Sequence, residues 1–253
     1  MFLLEGDADC HKLVPVDFAQ KQTFITVRED CGLIVLPESV YTMDGEKVCN
    51  HRSDVEINKI GERYLIFADN ELILWDTIVI LRAKCLKYVY SDKYFLTFDG
   101  QVWSAYKACG TQIEGFACTD NDLYLKGNFV IACGLGRRDL YTLRQNGRLL
   151  KTQLQKVVCS EKCQFAVCAN ISGHTEVLSQ GGWHDFGRTE DFGIVSERQK
   201  LFYVRRNGKC FLYDFNLSPE LDEVYPEGFD AVAAAGEDTI AVINGTTFEM
   251  FCR

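Results

Sequence analysis

The feature that most narrows the fold of this chain is a hairpin that recurs seven times. In each copy an apolar strand runs into a polar turn and out into a second apolar strand. The copies begin near Leu33, Tyr64, Tyr94, Phe129, Phe165, Leu201 and Ile240. Their spacing stays at about 30 to 40 residues, the period of small β repeats. Tyr64-Leu65-Ile66-Phe67 turns at Asp69-Asn70 into Leu72-Ile73-Leu74-Trp75. Tyr94-Phe95-Leu96 turns at Asp99-Gly100 into Val102-Trp103, and Leu201-Phe202-Tyr203-Val204 turns at Asn207-Gly208 into Phe211-Leu212-Tyr213. Asn-Gly and Asp-Gly between apolar strands favour hairpins because both central residues take a positive φ.

A further short apolar segment precedes each hairpin, as in Phe24-Ile25-Thr26-Val27, Leu86-Lys87-Tyr88-Val89, Leu123-Tyr124-Leu125, Phe192-Gly193-Ile194-Val195 and Ala231-Val232-Ala233. A fourth follows most of them, as in Ile78-Val79-Ile80-Leu81 and Leu149-Leu150. Four strands in roughly 35 residues is the content of a compact propeller blade. The expected fold is therefore all-β, a single seven-bladed β-propeller domain over residues 1–253. Beyond Ile240 there is room for a third strand at Met250-Phe251 and no fourth. The N-terminus has a surplus around His11-Lys12-Leu13-Val14-Pro15-Val16. An N-terminal strand from that surplus is expected to complete the last blade and close the ring, which removes exposed strand edges. A pair of open β-sandwich sheets is the rival, and it explains neither the count of seven nor the complementary ends.

Leu72-Ile73-Leu74-Trp75-Asp76 resembles the end of a WD-repeat hairpin, and Tyr213-Asp214 is a weaker echo. In architecture the resemblance covers the whole chain. In detail it departs: no unit opens on Gly-His, only one Trp-Asp pair occurs, and the units are shorter than the usual repeat. The chain thus resembles a divergent WD-repeat-like propeller. What that resemblance implies is a scaffold that binds proteins, or an accessory subunit of a larger complex.

Composition fits a globular chain able to bury a core without staples. Of 253 residues, 47% are hydrophobic and 25% charged, with 4 prolines and no low-complexity tract. No apolar run reaches the ~18 residues of a membrane span, so no membrane partner is expected. Met1-Phe2-Leu3-Leu4 meets Glu5, Asp7 and Asp9 at once, which does not suit a secretory signal. The 12 cysteines include no CxxC pair and several lie within apolar runs. Reduced thiols in a cytoplasmic or nuclear protein are expected. The formal charge of −9 argues against a protein that coats nucleic acid non-specifically, without excluding a local basic patch.

No catalytic or metal constellation emerges. The histidines are His11, His51, His174 and His184, none in an HxH or HExxH pattern. Cys159, Cys163 and Cys168 lie close together but lack the second pair that a zinc finger supplies. Gly134-Leu135-Gly136 reads as a hairpin turn, not a phosphate loop, because no helix follows. Asp191-Phe192-Gly193 has none of the companion kinase motifs. No cofactor is expected.

Binding surfaces are easier to place. If each hairpin joins the second and third strands of its blade, the seven turns share one face. Blades four to six then present a basic arc: Arg137 and Arg138, then His174, then Arg206 and Lys209. Such an arc suits an acidic peptide, a phosphate or an RNA backbone; ordinary solvated charge is the plainer reading. Trp183, after Gly181-Gly182, is either a binding anchor in a loop or a plug between two blades. The function expected is a non-catalytic protein-interaction scaffold, a subunit of a multi-protein complex. An accessory RNA-binding subunit of an RNA-modifying or processing enzyme is one alternative, and an enzyme with a site at the propeller axis is another.

Overall fold

In a computed structural model the structure describes residues 26–120, 122–144 and 146–252, together with the backbone of Phe2–Glu5 and Lys12–Pro15. The architecture is all-β, as expected. One 3-10 turn, Glu29–Cys31, is present, and no α-helix occurs among the described residues. The chain falls into two compact units, Met1–Ile113 and Glu114–Arg253.

In the first unit β1 (Phe2–Glu5) and β2 (Lys12–Pro15) form a two-stranded sheet of their own. Two four-stranded antiparallel meanders follow. The first contains β3 (Thr26–Arg28), β4 (Leu33–Leu36), β5 (Ser39–Thr42) and β6 (Lys47–Asn50). The second contains β7 (Glu56–Ile60), β8 (Arg63–Ala68), β9 (Glu71–Asp76) and β10 (Ile78–Lys84). A third, β11 (Lys87–Tyr90), β12 (Tyr94–Phe98) and β13 (Trp103–Lys107), has only a bridge from Tyr106 to Gln112 where a fourth strand would lie.

The second unit opens on a seven-stranded sheet: β14 (Asp122–Lys126), β15 (Phe129–Gly134), β16 (Arg137–Thr142), β17 (Arg148–Cys159), β18 (Ala166–Asn170), β19 (His174–Ser179) and β20 (Gly182–Arg188). Its long middle strand serves two meanders. Residues from Arg148 to Leu154 of β17 pair with β16, and residues from Leu154 to Cys159 pair with β18. Gln153, at φ 55, sits in a register break on the β16 side of Leu154, and a second break falls between Leu154 and Lys156 on the β18 side. Next come β21 (Asp191–Ser196), β22 (Leu201–Arg206), β23 (Lys209–Asp214) and β24 (Pro219–Glu220), then the three strands β25 (Ala231–Ala234), β26 (Thr239–Asn244) and β27 (Thr247–Cys252).

Each of the seven hairpins read from the sequence joins the second and third strands of a meander. The expected placement of the N-terminal strand is corrected. Lys12–Pro15 takes Phe2–Glu5 as its partner, and the sheet of β25–β27 has three strands. Local pairing across a short connection costs less loop-closure entropy than pairing with a distant strand.

Successive meanders within a unit bury their faces against each other, which explains the runs of consecutive apolar residues. Alternate residues of a strand point to opposite faces. On β8, Ile66 joins Leu33, Val40, Val48, Ile73 and Trp75 on one side, while Leu65 joins Leu72, Leu74, Cys85 and Phe95 on the other. On β22, Phe202 packs with Phe165, Val167, Phe192 and Phe215, while Leu201 packs with Cys210, Leu212, Phe229 and Ile240. Trp75 and Trp103 are buried, as their apolar neighbours predict. Within the second unit the strands β17, β21 and β25 are neighbours in turn.

The connections between meanders are tied to the hairpin-turn end of the sheets. The amides of His51, Cys85, Thr189, Glu190 and Asp230 donate to the carbonyls of Glu38, Asn70, Gly173, Arg205 and Ile243. Asp69, in the turn after β8, accepts hydrogen bonds from the amides of Arg52 and Ser53 and from Ser53 Oγ. Gly127 shows how tightly the other end is packed. It sits at φ 56, and a Cβ there would lie 2.3 Å from the Glu161 carbonyl oxygen.

Candidate functional site

The hairpin-turn end of the second unit carries the residues singled out by the sequence, but it treats them unequally. Leu135-Gly136 form the turn between β15 and β16, both at positive φ. Arg137 and Arg138 are therefore the first residues of β16, paired with Gly134 and Cys133. Both are exposed. Arg138 Nη1 donates to the Gln155 carbonyl. They border an open depression of about 680 Å³ that is also lined by Tyr124, Ile131, Cys133, Gln155 and Lys156.

Lys156 connects this depression to the next meander. Its ammonium donates to Asp191 Oδ1 and, at 2.6 Å, to the Phe192 carbonyl. Tyr203 Oη donates to the other Asp191 oxygen at 2.7 Å. Burial alone would raise the Asp191 pKa, but the hydrogen bonds from Lys156, Tyr203 and the backbone outweigh it and hold the carboxyl below its ordinary value. Burial and the Asp191 charge together push the Tyr203 phenol up.

His174 opens β19 and places Nε2 2.8 Å from Asp185 Oδ1. No local motif marks that pair, because Asp185 reaches His174 only through the β19–β20 ladder, where the register shifts beyond Thr175. Glu176 and Asp185 stand opposite each other in the same ladder. Like charges so placed repel. Lys151 offsets Glu176 with two 2.8 Å hydrogen bonds, as His174 contacts Asp185.

Arg206 and Lys209 are engaged within the fold. Arg206 Nη2 donates to the Phe186 carbonyl at 2.6 Å, with the guanidinium 5.6 Å from the Phe186 ring centre. Lys209 Nζ donates to Asp230 Oδ1 at 2.6 Å and to Asn244 Oδ1 at 3.1 Å. The structure places Trp183 in strand β20 instead of a loop. Its ring packs against the cluster of Phe129, Leu140, Leu154, Cys168 and Leu178 between the fourth and fifth meanders, under the Lys151 ammonium at 4.8 Å. The backbone of Gly181-Gly182 serves the turn into that strand, so the flanking glycines mark a hairpin and not a free loop.

Arg188 is a residue the sequence reading passed over. It pairs with His174 in the ladder and is exposed. Its significance rests on strand register, which no local motif encodes.

The described cysteines carry free thiols. Burial pushes Cys85 up to about 11 and Cys168 up to about 12, far from the thiolate that reactive cysteines need. His51 is buried, with its ring nitrogens 2.7 Å from the carbonyl oxygens of Ser53 and Leu36. No group of three or more His, Cys, Asp or Glu side chains is placed to hold a metal among the described residues. No helix among them is long and apolar enough to cross a membrane.

No family model and no curated protein matches the chain. Among solved structures, Hsv2 of Kluyveromyces lactis is similar at 12% identity and a TM-score of 0.41, over 86% of this chain and 88% of that one. Hsv2 of Kluyveromyces marxianus is similar at 12% identity and a TM-score of 0.41, over 87% and 88% of the two chains. The computationally designed protein Ika8 is similar at 13% identity and a TM-score of 0.36, over 96% and 87%. Likenesses of this size assign neither family nor function.

Proposed function

We propose that the chain is a non-catalytic interaction scaffold, its seven meanders the blades of one propeller domain, and that it serves as a subunit of a multi-protein complex in the cytoplasm or nucleus. The observation that carries this reading is the division of labour within each sheet. Faces are spent on the apolar seams between successive meanders, as with Leu65 and Ile66. That leaves hairpin turns such as Leu135-Gly136 and Ile171-Ser172 exposed. A stack of short meanders offers a rigid frame with replaceable tips, which suits recognition of other macromolecules.

Tagged chain purified under native conditions, followed by mass spectrometry and mass measurement in solution, tests the proposal. A stoichiometric protein partner is the expected result. A lone monomer that turns over a small molecule would overturn it.

A further inference from the structure

The tip of the fourth meander is built in a way that folding alone does not call for. A two-residue hairpin turn with both residues at positive φ favours Asn, Asp or Gly. The corresponding turns of the second and sixth meanders obey: Asp69-Asn70 lie at φ 49 and 62, and Asn207-Gly208 at φ 50 and 76. The fourth uses Leu135, at φ 38, ahead of Gly136. A γ-branched apolar residue is disfavoured in that region of φ. Leu135 is also fully solvent-exposed, at 104%. The turn thus carries both backbone strain and an unburied aliphatic side chain.

The register shows what stands beside it. Arg138 pairs with Leu154 on β17, and Leu154 pairs with Asn170 on β18. The strands that bear the fourth and fifth tips therefore flank Leu154 from either side, with the Arg138 and Asn170 backbones about 10 Å apart at two strand spacings. The fifth tip presents Ile171, 74% exposed, and Arg188 stands opposite His174, the first strand residue after that turn. Tyr124, 62% exposed, lines the depression below Leu135. Arg137 and Arg188 have no acidic partner among the described residues, whereas Lys156 has Asp191 and Lys209 has Asp230.

We propose that this edge is a docking site for an extended, carboxylate-rich protein segment that carries a large apolar side chain between its acids. The proposal rests on the scaffold reading above and names the chemistry of its partner. The depression, about 680 Å³, has room for a few side chains and not for a globular face. Charge complementarity selects acids. Arg137 and Arg138 are adjacent on β16, so they start from opposite faces of the sheet, and Arg188 stands on a different strand. Cations dispersed in this way fit carboxylates spaced along a chain better than a single phosphate, which needs converging donors. Leu135 and Ile171 supply apolar contact and no stacking platform, which disfavours single-stranded RNA.

The probe is a fluorescein-labelled peptide, Gly-Asp-Glu-Leu-Asp-Phe-Glu-Asp-Gly, titrated with the full chain by fluorescence anisotropy. Saturable binding is expected, weaker by about tenfold in Arg137→Glu and in Arg188→Glu, as for loss of a contributing charge pair. Leu135→Asn suits the turn better, so it is expected to retain the melting temperature while weakening the peptide. Arg198→Glu, whose guanidinium lies against Glu237 and Asp238, serves as a control that leaves binding intact. Equal binding of the Asn/Gln version of the peptide, indifference to all three variants, or preference for a phosphoserine peptide or an oligouridylate would overturn the assignment. If a partner still co-purifies with Arg137→Glu while the peptide fails to bind the parent chain, the site falls and the scaffold reading stands. If the peptide binds as expected and no partner co-purifies, the scaffold reading falls and the site stands.

Discussion

The seam between the fifth and sixth meanders rests on one side chain. Phe165 is 1% exposed and stacks on Phe215 with ring centres 3.9 Å apart and planes 3° from parallel. It also meets Phe202 at 4.9 Å. Val167, Val177, Phe192 and Val204 complete the cluster. Phe165→Ala removes a buried ring and leaves a cavity, a change that costs about 3–5 kcal/mol. Each aromatic pair lost adds roughly 0.5–1.5 kcal/mol beyond area burial, part of which is already within that range. The expected loss is about 4 kcal/mol, or roughly a 10 °C fall in Tm for a chain of this size. Phe165→Leu keeps most of the volume and should cost no more than about 2 kcal/mol. Urea unfolding followed by tryptophan fluorescence measures both, with Trp183 reporting from the adjacent seam. A loss below about 1.5 kcal/mol for Phe165→Ala, with an unchanged denaturant slope, would refute the claim that this stack holds the two meanders together.

Two further outcomes follow from the polar anchors. Asp69→Ala frees the backbone between the first and second meanders, so trypsin should cut after Arg52 several times faster than in the parent, an order-of-magnitude expectation for local opening; equal cleavage rates would show that the turn does not hold this connection. The Asp191 carboxyl is held below its ordinary pKa in the folded state, so its contribution is present above the unfolded carboxylate pKa and is lost as pH falls through the folded value. Stability measured from pH 7 down to about 3 should therefore decline less steeply in Asp191→Asn than in the parent, and parallel curves would count against the Lys156–Asp191–Tyr203 arrangement.

The hairpins were legible because their signals are local. Asp69-Asn70 and Asn207-Gly208 announce their turns through the φ they tolerate, and doubly buried strands such as β8 and β22 announce themselves as unbroken apolar text. Strand β17 was harder to see. It runs from Arg148 to Cys159 without a turn residue, and its division between two meanders falls at Leu154, between register breaks that the ordinary polar residues Gln153 and Gln155 disguise. The N-terminal pairing misled for a related reason. Counting strands predicts where one is needed, but Lys12–Pro15 found a nearer partner in Phe2–Glu5.

The basic arc illustrates a deeper limit of reading charge from sequence. Arg137, Arg206 and Lys209 look alike as turn-tip cations, yet what each offers a partner depends on what the fold has already placed opposite. Asp230 lies 21 residues from Lys209, and the Phe186 carbonyl lies 20 residues from Arg206. Both reach their cations only because neighbouring meanders pack together. A cation already bonded to a carboxylate must give up that contact before it can bind a ligand, so most of the new attraction is offset. Arg137 and Arg188 carry no such debt among the described residues. The available positive charge therefore shifts from the sixth meander toward the fourth and fifth. There it lies beside Leu135 and Ile171, the exposed aliphatic tips, and that combination is what distinguishes a recognition surface from scattered solvated charge.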